Sequence, residues 1–182
     1  NATSSGDVFI RTYRAFTTTG IDTTGDISID ATDTVTVQGS IIGNDILIDV
    51  ETGRIVRDSN DVTFRGNELE FYASQYFGTA ASPILTEISR LSGIASGGAV
   101  WLENQLNPLT IISPLGGQGL QAAGPIDIRN RNGNLTVNSS VSTSAGNVIL
   151  TSSENIVLDA AVATSTGYVT IEADEDVLMS DD

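Results

Sequence analysis

Apolar and polar residues alternate along most of this chain, and the alternation recurs at a fixed interval. Val148 and Leu150 share one side of Gly146-Asn-Val-Ile-Leu-Thr, and Val169 and Ile171 share one side of Gly167-Tyr-Val-Thr-Ile-Glu, 21 residues later. A second phrase, Asn155-Ile-Val-Leu-Asp, returns as Asp176-Val-Leu-Met-Ser at the same spacing. A period of two puts one row of side chains inward and the other outward on an extended strand. Its return after about 20 residues marks an array of stacked supersecondary units.

The same phrases run upstream. Gly124-Pro-Ile-Asp-Ile-Arg is followed by Asn134-Leu-Thr-Val-Asn. Gly98-Ala-Val-Trp-Leu-Glu precedes Pro108-Leu-Thr-Ile-Ile in a unit of 26 residues, from Gly98 to Gly124, whose extra length lies in Ser113-Pro-Leu-Gly-Gly-Gln-Gly. Gly6-Asp-Val-Phe-Ile, Gly25-Asp-Ile-Ser-Ile and Asn44-Asp-Ile-Leu-Ile recur at 19 and 19. Further alternation follows each opening phrase, as in Val35 and Val37 or Ile156 and Leu158, and then a shorter phrase around Ile41, Val141 and Val162. Each unit therefore predicts a coil of two long strands and a short third.

One such coil cannot cover its own apolar side, so coils must stack, each strand pairing in parallel with its counterpart a turn away. The expected fold is all-β: a parallel β-solenoid of about nine coils. It forms one domain, 1–182, with regular coils over 6–50 and 98–182 and irregular coils or insertions over 51–97. Within that middle, Val62-Thr-Phe, Leu69-Glu-Phe-Tyr and Ile84-Leu-Thr-Glu-Ile read as strands, with a short helical turn as the alternative for Ser82 to Leu91. The glycine opening each unit suits a tight corner of positive φ.

Composition narrows the chemistry. The chain has 182 residues, 23 acidic and 8 basic, for a formal charge of −15. Phosphate binding draws on clustered cations, so nucleic acid and anionic membranes are poor partners. All the basic residues are Arg; Lys, His and Cys are absent. His-assisted triads, Cys nucleophiles, Schiff-base lysines and the usual zinc sites are excluded. The lack of Cys also removes any disulfide framework, and no apolar run is long enough to span a bilayer as a helix.

The stretch Phe71-Tyr-Ala-Ser-Gln-Tyr-Phe-Gly-Thr-Ala-Ala-Ser-Pro-Ile-Leu-Thr-Glu-Ile-Ser-Arg-Leu, followed by Gly97-Gly-Ala-Val-Trp-Leu-Glu-Asn and Leu109-Thr-Ile, resembles very large bacterial exoproteins of the filamentous haemagglutinin type. In that family a Gly-Thr-x-x-x-Pro-Leu-x-Thr element precedes a Gly-x-Ile-x-Leu-x-Asn coil; here Ile84 stands between Pro83 and Leu85. The resemblance covers 67–182 well and 6–50 loosely. It implies a right-handed parallel β-helix in a secreted or cell-surface protein concerned with adhesion or filament building. No stretch matches the amino-terminal secretion module of such proteins.

Several residues invite a functional reading. Asp22, Asp26, Asp30 and Asp33, and again Asp174, Glu175, Asp176, Asp181 and Asp182, could hold Ca²⁺ between turns, since that ion takes six to eight oxygens; a solvated outward face is the preferred reading. Gly116-Gly-Gln-Gly-Leu-Gln begins like a calcium-binding nonapeptide but has Gln121 where the motif needs Asp. Paired carboxylates could serve a polysaccharide lyase or hydrolase. Trp101, outward between Val100 and Leu102, could stack on a sugar ring, although a packing contact under a loop is the preferred reading. The hydroxyl rows at Thr17-Thr-Thr, Thr34 with Thr36, and Ser142-Thr-Ser keep no common phrase from coil to coil and read as surface filler rather than an ice-binding array. Asn1, Asn134 and Asn138 begin Asn-x-Ser/Thr sequons. Asn134, Asn155 and Asp176 share one position in successive units and predict a stacked ladder at a corner.

No catalytic, cofactor-binding or metal-ligating residue is assigned on these grounds. The final unit, opening at Gly167, has 16 of its expected 21 residues and stops at Asp182, and the chain opens on Asn1. A mature or excised piece of a longer array, or a protomer joining end to end, is the expectation. The expected function is a structural or adhesive extracellular rod, with neighbouring solenoid segments, identical subunits or host or matrix glycans as partners. The alternatives are a carbohydrate-active β-helix enzyme and a Ca-binding surface module.

Overall fold

The structure, a computed structural model, describes residues 2–61, 63–113 and 119–180. Every named element is a β-strand, and every pairing between named strands is parallel. The chain winds into a β-solenoid. One sheet runs nine strands deep, from Ala2–Ser4 through Ile21–Thr23 and Phe64–Arg65 to Val148–Ser152 and Val169–Ala173, which is about eight full turns.

Val148 lies directly beside Val169, and Ile156 beside Val177, as the 21-residue repeat requires. The inward side chains form columns that cross the whole molecule. One contains Val8, Ile27, Ile46, Leu69, Leu91, Ile111, Val137, Leu158 and Met179. Another contains Phe16, Val35, Ile55, Phe77, Val100, Ile126, Val148 and Val169. Ile27 through Val137 in the first column and Val35 through Val148 in the second are almost wholly buried, and each such aliphatic contributes about 1.5–3 kcal/mol by leaving water.

A coil has one long strand and two short ones, not two long and one short. Val148–Ser152 has 5 residues, whereas Ile156–Leu158 and Val162–Thr164 have 3 each. The second phrase carries only two inward positions before the chain must turn. The 82–91 segment holds no helical turn: Ile84–Glu87 and Arg90–Ala95 are strands in register with their neighbours. Val62 lies outside the described residues.

The two halves place their long strands on different sides. In the first coils the long strands are Val8–Thr12, Ile27–Ala31 and Asp45–Val50, all in the second sheet. In the later coils they are Val100–Asn104, Ile126–Asn130 and Val148–Ser152, in the first sheet. The opening phrases around Gly6 and Gly146 are therefore alike in sequence but not stacked on one another. The change happens between 77 and 122. Arg90–Ala95 pairs on one side with the single strand Glu68–Ala73, and on the other with two strands, Leu109–Ile111 and Leu120–Ala122. Conversely, Val100–Asn104 covers both the Phe77 bridge and Ile84–Glu87. One corner closes and another opens, which explains the uneven spacing of the middle.

This junction is packed with aromatic rings. Phe71 and Phe77 stack with centroids 3.9 Å apart, and Phe64 lies 6.4 Å from Phe77. All three are fully buried. Gly93 makes room for them, since a Cβ there would fall 2.5 Å from the Phe71 ring. Positive φ is needed at Gly146 (89°) and Gly167 (123°) but not at the earlier opening glycines.

Candidate functional site

The corners hold the polar residues that stacking demands. Asn134 Oδ1 accepts from the Asn155 backbone N–H at 3.2 Å, and Asn155 Oδ1 accepts from that of Asp176 at 3.1 Å, so the expected ladder forms. Its counterpart in the first half was not foreseen. Asp7 Oδ1 accepts from Asp26 N–H at 3.0 Å, Asp26 Oδ1 accepts from Asp45 N–H at 3.2 Å and Asn44 Nδ2 at 3.0 Å, and Asp45 Oδ1 accepts from Asn67 Nδ2 at 2.9 Å. The Asp7 and Asp26 oxygens each meet a backbone donor at the turn into the next coil, and the Asp45 oxygen meets a side-chain amide there.

A second set of amides is internal. Buried Asn104 accepts from Thr86 Oγ1 (2.9 Å) and Ile88 N–H (3.0 Å) and donates to the carbonyls of Ile88 and Asn107. It also donates to Asn130 Oδ1 at 3.0 Å, and Asn130 Nδ2 in turn donates to the carbonyls of Asn132, Gly133 and Asn134.

The acidic clusters do not converge. Asp22 projects from Ile21–Thr23, while Asp26 belongs to the corner ladder. Asp30 pairs with Arg11 at 2.7 Å, and Asp33 accepts from Thr34 N–H at 2.6 Å. Glu175 accepts from Asn155 Nδ2 at 2.9 Å. Asp181 and Asp182 lie outside the described residues, as do Gly116 to Gln118 of the incomplete nonapeptide and Asn1 of the first sequon. Among the described residues no group of three or more acidic side chains is placed to hold a metal ion.

Two outward faces carry grooves. The first, of about 340 Å³, lies over the long strands of the early coils and is lined by Asp26, Asp45, Glu68 and Glu70 with Phe9 and Leu47 between them. Burial pushes the Glu68 carboxyl up from its ordinary value, opposed by Arg90 and assisted by Asp45 and Glu70. Burial likewise raises Asp49, with Asp30 and Glu51 adding to it. Tyr72 is pushed up to about 12 by burial and by its hydrogen bond to Glu70. A general acid needs such a raised carboxyl, and a glycosidase pair needs its two carboxyls within about 10 Å. Glu68 and Asp49 are four positions apart on paired strands, so their Cα atoms are separated by roughly 13 Å along the sheet.

The second groove, about 460 Å³, lies over the later coils and includes Arg129, Arg131, Ile149, Tyr168 and Glu172. Asp127, only 4% exposed, receives a bidentate Arg129 guanidinium at 2.9 and 2.9 Å. Arg131 reaches Glu103 at 2.8 Å, and that hydrogen bond draws the Glu103 carboxyl below its ordinary value. Trp101 lies half-buried beside Asp127 on this face. These ion pairs escaped the sequence reading, although Asp127-x-Arg129 has the spacing that sets two side chains on one face of a strand. Of the sequons, Asn134 is engaged in the ladder and Asn138 is exposed.

The two carboxyls set up a pH experiment. A raised folded value means that ionised Glu68 costs stability at neutral pH, a cost that disappears as pH falls below its ordinary 4.5. A lowered one means that Glu103 contributes stability above its ordinary 4.5, which is lost as pH falls through the folded value. Glu68→Gln is expected to raise the unfolding free energy measured in urea at about pH 7 and Glu103→Gln to lower it, each by less than about 1 kcal/mol because both sites are partly solvated. Both differences shrink toward zero near pH 3.

No helix among the described residues is long and apolar enough to cross a membrane. No known protein family, curated protein or solved structure matches this chain.

Proposed function

We propose that this chain is a structural segment of an extracellular adhesive rod, a non-catalytic solenoid that spaces or displays binding surfaces. The supporting observation is the use made of its polar side chains. Asp7, Asp26, Asn104, Asn130, Asn134 and Asn155 all hydrogen-bond toward an adjoining coil or its corner. These six side chains are engaged in joining and closing coils. Nine levels at about 4.8 Å give a stiff column on the order of 40 Å long.

Further solenoid coils, of the same chain or of another copy, are the partners this reading favours. Inward-facing Val169, Val177 and Met179 are 39%, 47% and 68% exposed, whereas Val148 and Ile156 one level away are fully covered. Host or matrix glycans are the second class of partner, and nucleic acid is disfavoured by the charge of −15. The resemblance to haemagglutinin-type exoproteins supports a secreted or cell-surface location.

The test is immunogold labelling of the native source with antibody against this chain. Labelled fibres on the cell surface are expected; labelling confined to the cell interior overturns the proposal. Incubation with acidic polysaccharides separates the enzymatic alternative. The expected result is unchanged polymer length, and turnover proportional to protein concentration counts against a purely structural role.

A further inference from the structure

The corner at 131–134 combines an exposed asparagine with a glycine that the fold requires. Gly133 is buried with φ of 84°, and a Cβ there would fall 2.8 Å from Pro108 Cγ, so only glycine, which has no side chain of its own to hinder attack by its nitrogen, fits this corner. Asn132, immediately before it, is exposed. Asn-Gly is the dipeptide in which a main-chain nitrogen most readily attacks the preceding side-chain amide.

We propose that Asn132–Gly133 is a site of spontaneous deamidation whose rate is set by the amide clamp around it. The Gly133 nitrogen attacks Asn132 Cγ, the new N–C bond replacing the bond to the side-chain nitrogen. That nitrogen leaves as ammonia, taking the Gly133 proton, and a five-membered imide remains. One water then opens the ring to aspartate or isoaspartate, the latter with one extra carbon in the main chain. No oxidant or enzyme is required.

The clamp opposes the rotation that brings the reacting atoms together. Asn132 Nδ2 donates to the Leu106 carbonyl of the previous coil at 3.0 Å. Its own carbonyl receives Asn130 Nδ2 at 3.1 Å. The Gly133 carbonyl receives Asn130 Nδ2 at 2.7 Å and Ser152 Oγ at 2.8 Å. The attack therefore waits for these bonds to open, and the modified corner, with its extra charge or lengthened main chain, no longer fits the Asn130 amide. Local opening of this kind draws on the low end of a protein's stability range.

Peptide mapping of the full chain after prolonged incubation at mildly alkaline pH tests this, with isoaspartate detected by enzymatic methylation. Asn132 is expected to convert ahead of Asn134 and Asn147, which are followed by Leu and Val. Asn130→Ala is expected to accelerate conversion roughly tenfold, and Ser152→Ala, which keeps the amide network, severalfold. Equal rates in the wild type and both variants, or no isoaspartate at Asn132 in any of them, overturns the proposal.

Discussion

Phe77→Ala is expected to lower the unfolding free energy by about 3–5 kcal/mol, the range for removing a fully buried aromatic from a core. Phe77 bridges Ile55 on one side and Val100 on the other, at the level where the long strands change sides. It also stacks on Phe71 at 3.9 Å, and aromatic pairs contribute about 0.5–1.5 kcal/mol beyond burial. Because a solenoid is held together by nearest-neighbour contacts, a cavity here weakens the coupling between its halves. Urea unfolding should show a lower midpoint and a shallower slope, the sign of halves that melt separately. Phe9→Ala, at a ring 78% exposed, should change stability by no more than about 0.5 kcal/mol. A loss at Phe77 no larger than that at Phe9 would show that the junction does not hold the rod together.

The periodicity was legible because alternation is local: an inward Val148 announces itself through Leu150 two residues on. The 21-residue register and the Asn134–Asn155–Asp176 ladder followed from the same reading. The shift of corner was not legible, because phrase matching compares residues within a coil and a corner is fixed by what lies along a column. One column reads Ile21, Ile41, Phe64, Thr86, Asn104, Asn130 and Ser152. It turns polar where the corner arrives, since a bent backbone leaves donors and acceptors that an aliphatic side chain cannot satisfy. With the columns aligned, that change from apolar to amide was the available signal.

The functional faces were harder to read for a related reason. Asp26, Asp30 and Asp33 are close in sequence, yet the coil sends Asp26 to a corner, Asp30 to Arg11 and Asp33 to the adjoining Thr34 N–H. In the reverse sense, Glu103 and Arg131 are 28 positions apart and meet at 2.8 Å. In a solenoid, chemistry gathers along columns about one coil length apart in sequence, so a linear cluster of acids says little about a site.

Asn104→Ala is expected to be nearly as damaging as the loss of Phe77, although no large apolar surface is involved. The substitution takes partners from Thr86 Oγ1, the Ile88 N–H, the carbonyls of Ile88 and Asn107, and Asn130 Oδ1. Leaving a buried polar group unsatisfied costs about 1–3 kcal/mol, and several are orphaned together, so a loss of about 3–4 kcal/mol is expected after water enters the gap. Asn155→Ala removes a ladder amide at a part-exposed corner, where solvent replaces the lost partner, and should cost about 1 kcal/mol. Denaturant midpoints of the two variants measure the contrast. Equal losses would mean that the internal amides are no more than corner fillers. A larger loss at Asn104 would establish that the moved corner persists because its backbone is satisfied from inside the coil.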